Sequence, residues 1–112
     1  MKTKIFDTEN HKGHITLRLK FDKLDTQISP QLKAEFLVVC QSPLKKLIVD
    51  MSAVKSCDSS GLSALLVAER LMRELKGEVH LIVPNQDVRN LFKITRLEKV
   101  FSIHPTAEIL VD

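Results

Sequence analysis

Leu47-Ile48-Val49-Asp50-Met51-Ser52-Ala53-Val54-Lys55-Ser56-Cys57-Asp58-Ser59-Ser60-Gly61-Leu62 is the stretch whose reading decides the fold. Leu47-Ile48-Val49 is a short, continuously apolar run between Lys45-Lys46 and Asp50, the pattern of a strand buried on both faces and placed mid-sheet. From Ser60 to Lys76, Ser63, Arg70 and Glu74 fall on one side at helical spacing. Leu62, Leu65, Leu66, Ala68, Leu71, Met72 and Leu75 fill the rest, so the segment reads as a long helix with a broad apolar face. Gly77 is expected to supply its left-handed stop. A buried strand feeding a long apolar helix is one half of a βαβ unit.

Upstream, Thr3–Thr8 and His14–Lys20 read as two short extended pieces separated by the polar stretch Glu9-Asn10-His11-Lys12-Gly13, which ends in the glycine that hairpin turns favour. Ile15, Leu17 and Leu19 alternate with Thr16, Arg18 and Lys20, the period of a half-buried strand. Phe21–Gln27 reads as a polar connection. Ser29 is then expected to cap a helix over about Pro30–Cys40, with proline in its first turn and Leu32, Phe36 and Val39 on one face. Downstream, Val79, Leu81 and Val83 alternate as another strand, and Asn85 is placed to cap a helix over Gln86–Ile94. Phe101–Ile103 reads as a last short strand and Thr106–Leu110 as a terminal helical turn or two. The order β β α β α β α β α implies an α/β layer fold with helices packed on one mixed sheet of four to five strands, an N-terminal antiparallel pair followed by parallel strands.

The 112 residues, 44% hydrophobic, suit one domain with a single core. Seventeen Lys and Arg exceed fourteen Asp and Glu, and the surplus sits in residues 1–56, with ten cations against six anions; residues 57–112 carry seven against eight. The aromatic residues are five phenylalanines without Trp or Tyr, which argues against a stacking platform for single-stranded nucleic acid. Cys40 and Cys57 are expected to be reduced thiols in a cytoplasmic chain, since no secretory leader pattern precedes them. The longest apolar runs, Phe36–Cys40 and Ala64–Ala68, fall far short of the roughly 20 residues of a membrane span.

Ser56–Leu62 lies on a strand-to-helix loop, where ligand chemistry gathers in α/β sheets. Asp58, Ser59 and Ser60 are ordinary helix-capping residues. The same position offers unpaired backbone N–H groups and about half a positive charge, so a phosphate on either serine would meet favourable partners there.

The run Leu47–Asp50, then Cys57-Asp58-Ser59-Ser60-Gly61-Leu62, then a long apolar helix, resembles the STAS domain of bacterial anti-sigma factor antagonists. The resemblance extends to Lys23-Leu24-Asp25, to Val88-Arg89-Asn90-Leu91-Phe92 and to Leu97-Glu98-Lys99-Val100-Phe101, and so covers nearly the whole chain, residues 1–112, as one STAS domain. It implies that Ser59, directly after the aspartate, is a phosphorylation site. It also implies a switch in which the unphosphorylated protein binds an anti-sigma factor that is a serine kinase, freeing sigma until phosphorylation breaks the complex and a serine phosphatase resets it. Asp25, Thr26, Asp58, Ser60, Gly61, Leu62 and Ser63 are then the expected partner-binding residues. No cofactor, metal or catalytic residue is implied, and the oligomeric state expected is monomer or weak dimer. Asp22, Ser63 and Arg96 depart from glycines common in the family, so a related role stays open: a non-phosphorylated STAS subunit of a transporter ATPase or signalling scaffold.

Other chemistries find less support. Cys57-Asp58-Ser59-Ser60-Gly61 lacks the first glycine of the Gly-x-Ser-x-Gly elbow, and neither His80 nor His104 occupies a recognisable base position. His11-x-x-His14 spans the expected hairpin turn with no second ligand pair after it. Cys57 precedes a helix N-terminus, a setting that can activate a thiol, although loop cysteines more often only pack. Arg89, Lys93 and Arg96 form a basic run on the last helix and its exit, open to reading as a solvated face, as a site for an acidic partner, or as part of a nucleic-acid-binding domain.

Overall fold

Leu47, Val49 and Ile48 pair on both sides, as a central strand must. The computed structural model describes residues 5–106. Its main sheet has five strands in the order β1-β2-β4-β6-β7. These are β1 (Phe6–His11), β2 (His14–Leu19), β4 (Lys46–Asp50), β6 (Glu78–Ile82) and β7 (Ser102–His104), with β3 (Lys23–Leu24) and β5 (Ser56–Cys57) forming a separate two-stranded ladder. The helices are α1 (Ser29–Val39), α2 (Ser59–Glu74) and α3 (Gln86–Ile94), with a 3-10 turn at Leu97–Lys99. β1 and β2 are antiparallel; β2, β4, β6 and β7 run parallel.

Each parallel step moves the chain one strand further in the same direction, so right-handed crossovers put all three helices on one face of the sheet. The register agrees. Leu17 pairs with Val49, which pairs in turn with Leu81, and Ile15 with Leu47, which pairs with Val79; Leu17, Leu47, Val49, Val79 and Leu81 join Leu32, Phe36, Leu62, Leu65, Met72, Val88 and Phe92 in one apolar core, with Ile15 packed against it. Ile48 and Ile82 are also buried but stand outside that core, because they point to the opposite face.

The expected elements form, with local differences that have physical causes. β1 continues through His11, so the hairpin loop shrinks to Lys12-Gly13, with Gly13 left-handed at φ 84°. The connection Phe21–Gln27 contains β3, which is paired in parallel with β5. Ser29 is the first helical residue and not the cap; Ile28 holds the N-cap position without a side-chain cap. The left-handed residue that ends α2 is Lys76, at φ 59°, one place before the expected Gly77. Gly77 is needed for another reason, since a Cβ there would lie 2.7 Å from the Lys45 carbonyl oxygen. The expected terminal helical turn beyond Thr106 lies outside the described residues, as does the start of the first expected strand.

Candidate functional site

The site is built where the two-stranded ladder meets the first turn of α2. The Asp22 carbonyl accepts from the Lys55 and Ser56 N–H groups at 2.8 and 3.1 Å, and the Leu24 carbonyl accepts from the Asp58 N–H at 3.2 Å. Buried Met51 and Val54 anchor the loop from below, and the Met51 N–H reaches the Ile82 carbonyl at 2.9 Å. The Lys23–Thr26 and Ser56–Ser60 segments are thereby laid side by side. Gly61 makes the fit possible, because a Cβ there would stand 2.7 Å from the Leu24 carbonyl oxygen and 2.8 Å from Cys57 Sγ.

Asp58 is the N-cap of α2, in an extended conformation. Its Oδ1 accepts from the Ser60 hydroxyl at 2.6 Å, the Ser60 N–H at 3.0 Å and the Gly61 N–H at 3.1 Å. The Ser60 hydroxyl and then the Gly61 N–H hold this carboxyl below the usual aspartate range, so it is firmly ionised. These bonds occupy the two N–H groups expected to be free for a phosphate, so a phosphate on Ser59 keeps the favourable end of the helix dipole but finds those donors already taken.

Ser29 ties in the third segment. It is the one buried polar residue among those described, and its hydroxyl lies 2.7 Å from the Asp25 carbonyl and 3.2 Å from Ser60 Oγ. Its single proton serves one of these at a time. Asp25 Oδ1 accepts from the Gln27 N–H at 3.0 Å and shapes the turn into α1. Asp25, Asp58 and Ser60 thus belong to one hydrogen-bonded cluster, with Ser29 as a member that the sequence reading assigned only to capping.

Thr26, Ser59 and Ser63 are exposed, and Ser63 is one turn along α2 from Ser59. The Ser59 side chain makes no hydrogen bond to any described residue, in contrast to the committed hydroxyl of Ser60. Gly61 and Leu62, expected among the partner-binding residues, are buried. Cys57 is also packed inward: burial first, and the Asp58 charge second, push its thiol up to about 12, which removes the thiolate that reactivity needs. Beside the cluster lies a groove of about 290 Å³, walled by Lys55, Ser56 and Cys57 on one side and Asp87, Val88 and Leu91 of α3 on the other.

His80 and His104, neither of them in a recognisable base position by sequence, are partners. His80 Nδ1 and His104 Nε2 are 3.0 Å apart across β6 and β7, and His80 Nε2 lies 2.8 Å from Glu78 Oε1. The carboxylate only accepts, so His80 Nε2–H donates to it, and His80 Nδ1 and His104 Nε2 share one proton between them. The Glu78-x-His80 alternation opposite Val79 and Leu81 was visible in the sequence; the diagonal reach to His104 was not. His11 and His14 stack across the hairpin with ring centroids 4.7 Å apart. Among the described residues no group of three or more His, Cys, Asp or Glu is placed to hold a metal ion, and no helix is long and apolar enough to cross a membrane.

Comparison with known proteins adds a family. Residues 6–108 match the family model described as STAS domain. BtrV of Bordetella bronchiseptica, assigned by name to the anti-sigma factor antagonists, is 22% identical over 104 residues, covering 82% of this chain and 90% of BtrV. The phosphorylated form of the Bacillus cell fate determinant SpoIIAA superposes with a TM-score of 0.71 at 22% identity, over 94% of this chain and 96% of SpoIIAA. An anti-sigma-factor antagonist (STAS) domain protein of Planctomyces limnophilus gives a TM-score of 0.83 at 16% identity, over 94% and 92% of the two chains.

Proposed function

The chain belongs to the STAS domain family, and from that membership we propose that it is an anti-sigma factor antagonist whose switch is phosphorylation of Ser59. The whole chain, residues 1–112, then acts as one non-catalytic regulatory domain in the cytoplasm, as a monomer or weak dimer. Unphosphorylated, it binds an anti-sigma factor that is also a serine kinase and so frees sigma; phosphorylated, it lets go, and a serine phosphatase resets it.

The observation that carries this reading is the different state of two neighbouring hydroxyls. Ser60 donates to Asp58 and contacts Ser29, while Ser59 is exposed on the first turn of α2 with its oxygen uncommitted to any described residue. A phosphate on Ser59 adds about −1.5 to −2 charges beside the ionised Asp58. Asp58 already occupies the N–H groups of Ser60 and Gly61, so those donors leave the new charge unquenched and it faces the partner. The docked surface then meets like-charge repulsion and a desolvation cost. The domain itself stays folded, because the exposed anion still meets the positive end of the α2 dipole. Asp25, Thr26, Asp58, Ser60 and Ser63 form or shape the recognition surface, with Gly61 and Leu62 supporting it from beneath.

The test is calorimetric binding to a kinase-type anti-sigma factor from the same organism. Wild type is expected to bind, and Ser59→Asp to bind at least about tenfold more weakly. Equal affinities would defeat the electrostatic switch.

A further inference from the structure

We propose that the groove between α3 and the segment from the 3-10 turn to β7 is a second docking site, which accepts an acidic segment of a protein partner. The groove encloses about 440 Å³ and is lined by Gln86, Arg89 and Lys93 of α3, Glu98 and Lys99 of the turn, and Ile103 of β7. Gln86, Arg89 and Lys93 are spaced i, i+3 and i+7 and so share one helix face. The lining brings three cations against one carboxylate, above an apolar side chain.

Two features show that this charge is set up in advance. The Arg89 guanidinium donates from Nη1 to the Val83 and Pro84 carbonyls at 2.9 and 2.8 Å and from Nη2 to Gln86 Oε1. All three acceptors are neutral, so the side chain is held in place with no carboxylate among the described residues paired to it, and little conformational entropy remains to be lost on binding. None of the ion pairs among the described residues involves Arg89, Lys93, Arg96 or Lys99.

The second feature is Arg96, at the end of α3 between Lys93 and Lys99 in the chain. It sits at φ 63° and ψ 17°, a left-handed conformation that glycine adopts freely and other residues only at a cost. The chain therefore holds a cation between the groove-lining Lys93 and Lys99, outside the lining itself, at the expense of backbone strain, the kind of expense that collects at functional sites. The groove is of peptide scale, has an apolar floor at Ile103 and carries Glu98 in its wall. These features suit a short segment of carboxylates with an apolar side chain better than a continuous row of phosphates. This site is independent of Ser59 and its phosphorylation.

The test is fluorescence anisotropy at low ionic strength with a labelled octapeptide of alternating Glu and Leu. A duplex DNA oligonucleotide serves as competitor. Wild type is expected to bind the peptide, K93E/K99E to bind it about tenfold more weakly or worse, and the remote reversal K12E/K33E to bind it near wild-type strength. No binding by wild type, or equal losses in the two reversals, would overturn the proposal. So would DNA binding that exceeds peptide binding and disappears in K93E/K99E, which would make the groove a nucleic-acid site. Arg96→Gly is expected to melt at a higher temperature than wild type yet bind the peptide more weakly. Wild-type binding by that variant would remove Arg96 from the site.

Discussion

Gly61→Ala sets two opposing effects against each other, and the structure decides the sign. Alanine has the better helix propensity by roughly 1 kcal/mol in a helix interior, so a glycine in the first turn of α2 looks like a stabilisation opportunity. The added Cβ, however, would lie 2.6 Å from Leu24 Cγ, 2.7 Å from the Leu24 carbonyl oxygen and 2.8 Å from Cys57 Sγ, against ordinary separations of about 3.5–4.0 Å between carbons. The two side chains can rotate away in part. The carbonyl cannot move alone, because it accepts from the Asp58 N–H and belongs to the β3–β5 ladder. Overpacking costs about 1–3 kcal/mol, and because one of the atoms struck is a bonded backbone carbonyl the upper part of that range, about 2–3 kcal/mol, applies; after the propensity gain this leaves a net loss of about 1–2 kcal/mol. For a chain of this size that is a fall in Tm of roughly 5 °C or more. Thermal and urea unfolding followed by circular dichroism would measure it, with Ser63→Ala, on the exposed side of the same helix, as a control near zero. An unchanged or raised Tm for Gly61→Ala would refute the reasoning, since it would mean that the two loops are not in contact as described.

Three further outcomes follow from the same structure. His104 lies below its ordinary value of 6.5 through burial first and then the charges of His80 and Lys46, and Glu78 lies below its own value of 4.5 through its bond to His80. A depressed group binds fewer protons folded than unfolded, so the His104 contribution is full above about pH 6.5 and is lost as the pH falls toward the folded value. Glu78 behaves alike at lower pH. Tm should therefore fall between pH 7.5 and pH 5, with a flatter profile for His104→Gln; parallel profiles would contradict the assignment. Both thiols are pushed up by burial, Cys40 to about 11 and Cys57 to about 12. Iodoacetamide at pH 7.5 should add to neither cysteine in the native protein and to both in urea, and rapid native labelling of Cys57 would reverse this reading. Ser59→Asp should keep its stability within about 0.5 kcal/mol of wild type in urea unfolding, since the new carboxylate sits at the positive end of α2; a large loss would mean that phosphate acts on the fold and not on the interface.

Periodicity and punctuation revealed most of this fold. Leu47–Val49 announced its central place because both its faces had to be apolar, and Asn85 announced α3 by capping it, with its side chain accepting from the Val88 N–H at 3.1 Å. What stayed hidden was whatever depended on two distant segments meeting. β3 and β5 are two residues each, too short for any alternation to register. Asp58 was readable as a cap, whereas its link through Ser60 to the buried Ser29 joins positions 31 residues apart. The inward packing of Gly61 and Leu62 followed from the same unseen ladder. His80 and His104 looked idle because their pairing depends on the β6–β7 register. The left-handed turn at Arg96 was signalled only by the family's glycine at that place, since the residues of the helix exit do not themselves show which one takes it.

In the proposed switch it is Ser59, and not its neighbour, that takes the phosphate. Intact-mass analysis after incubation with ATP and a kinase-type anti-sigma factor from the same organism tests it most directly, on wild type, Ser59→Ala and Ser60→Ala. A single phosphate is expected on wild type and on Ser60→Ala, and none on Ser59→Ala. Undiminished incorporation into Ser59→Ala would contradict it.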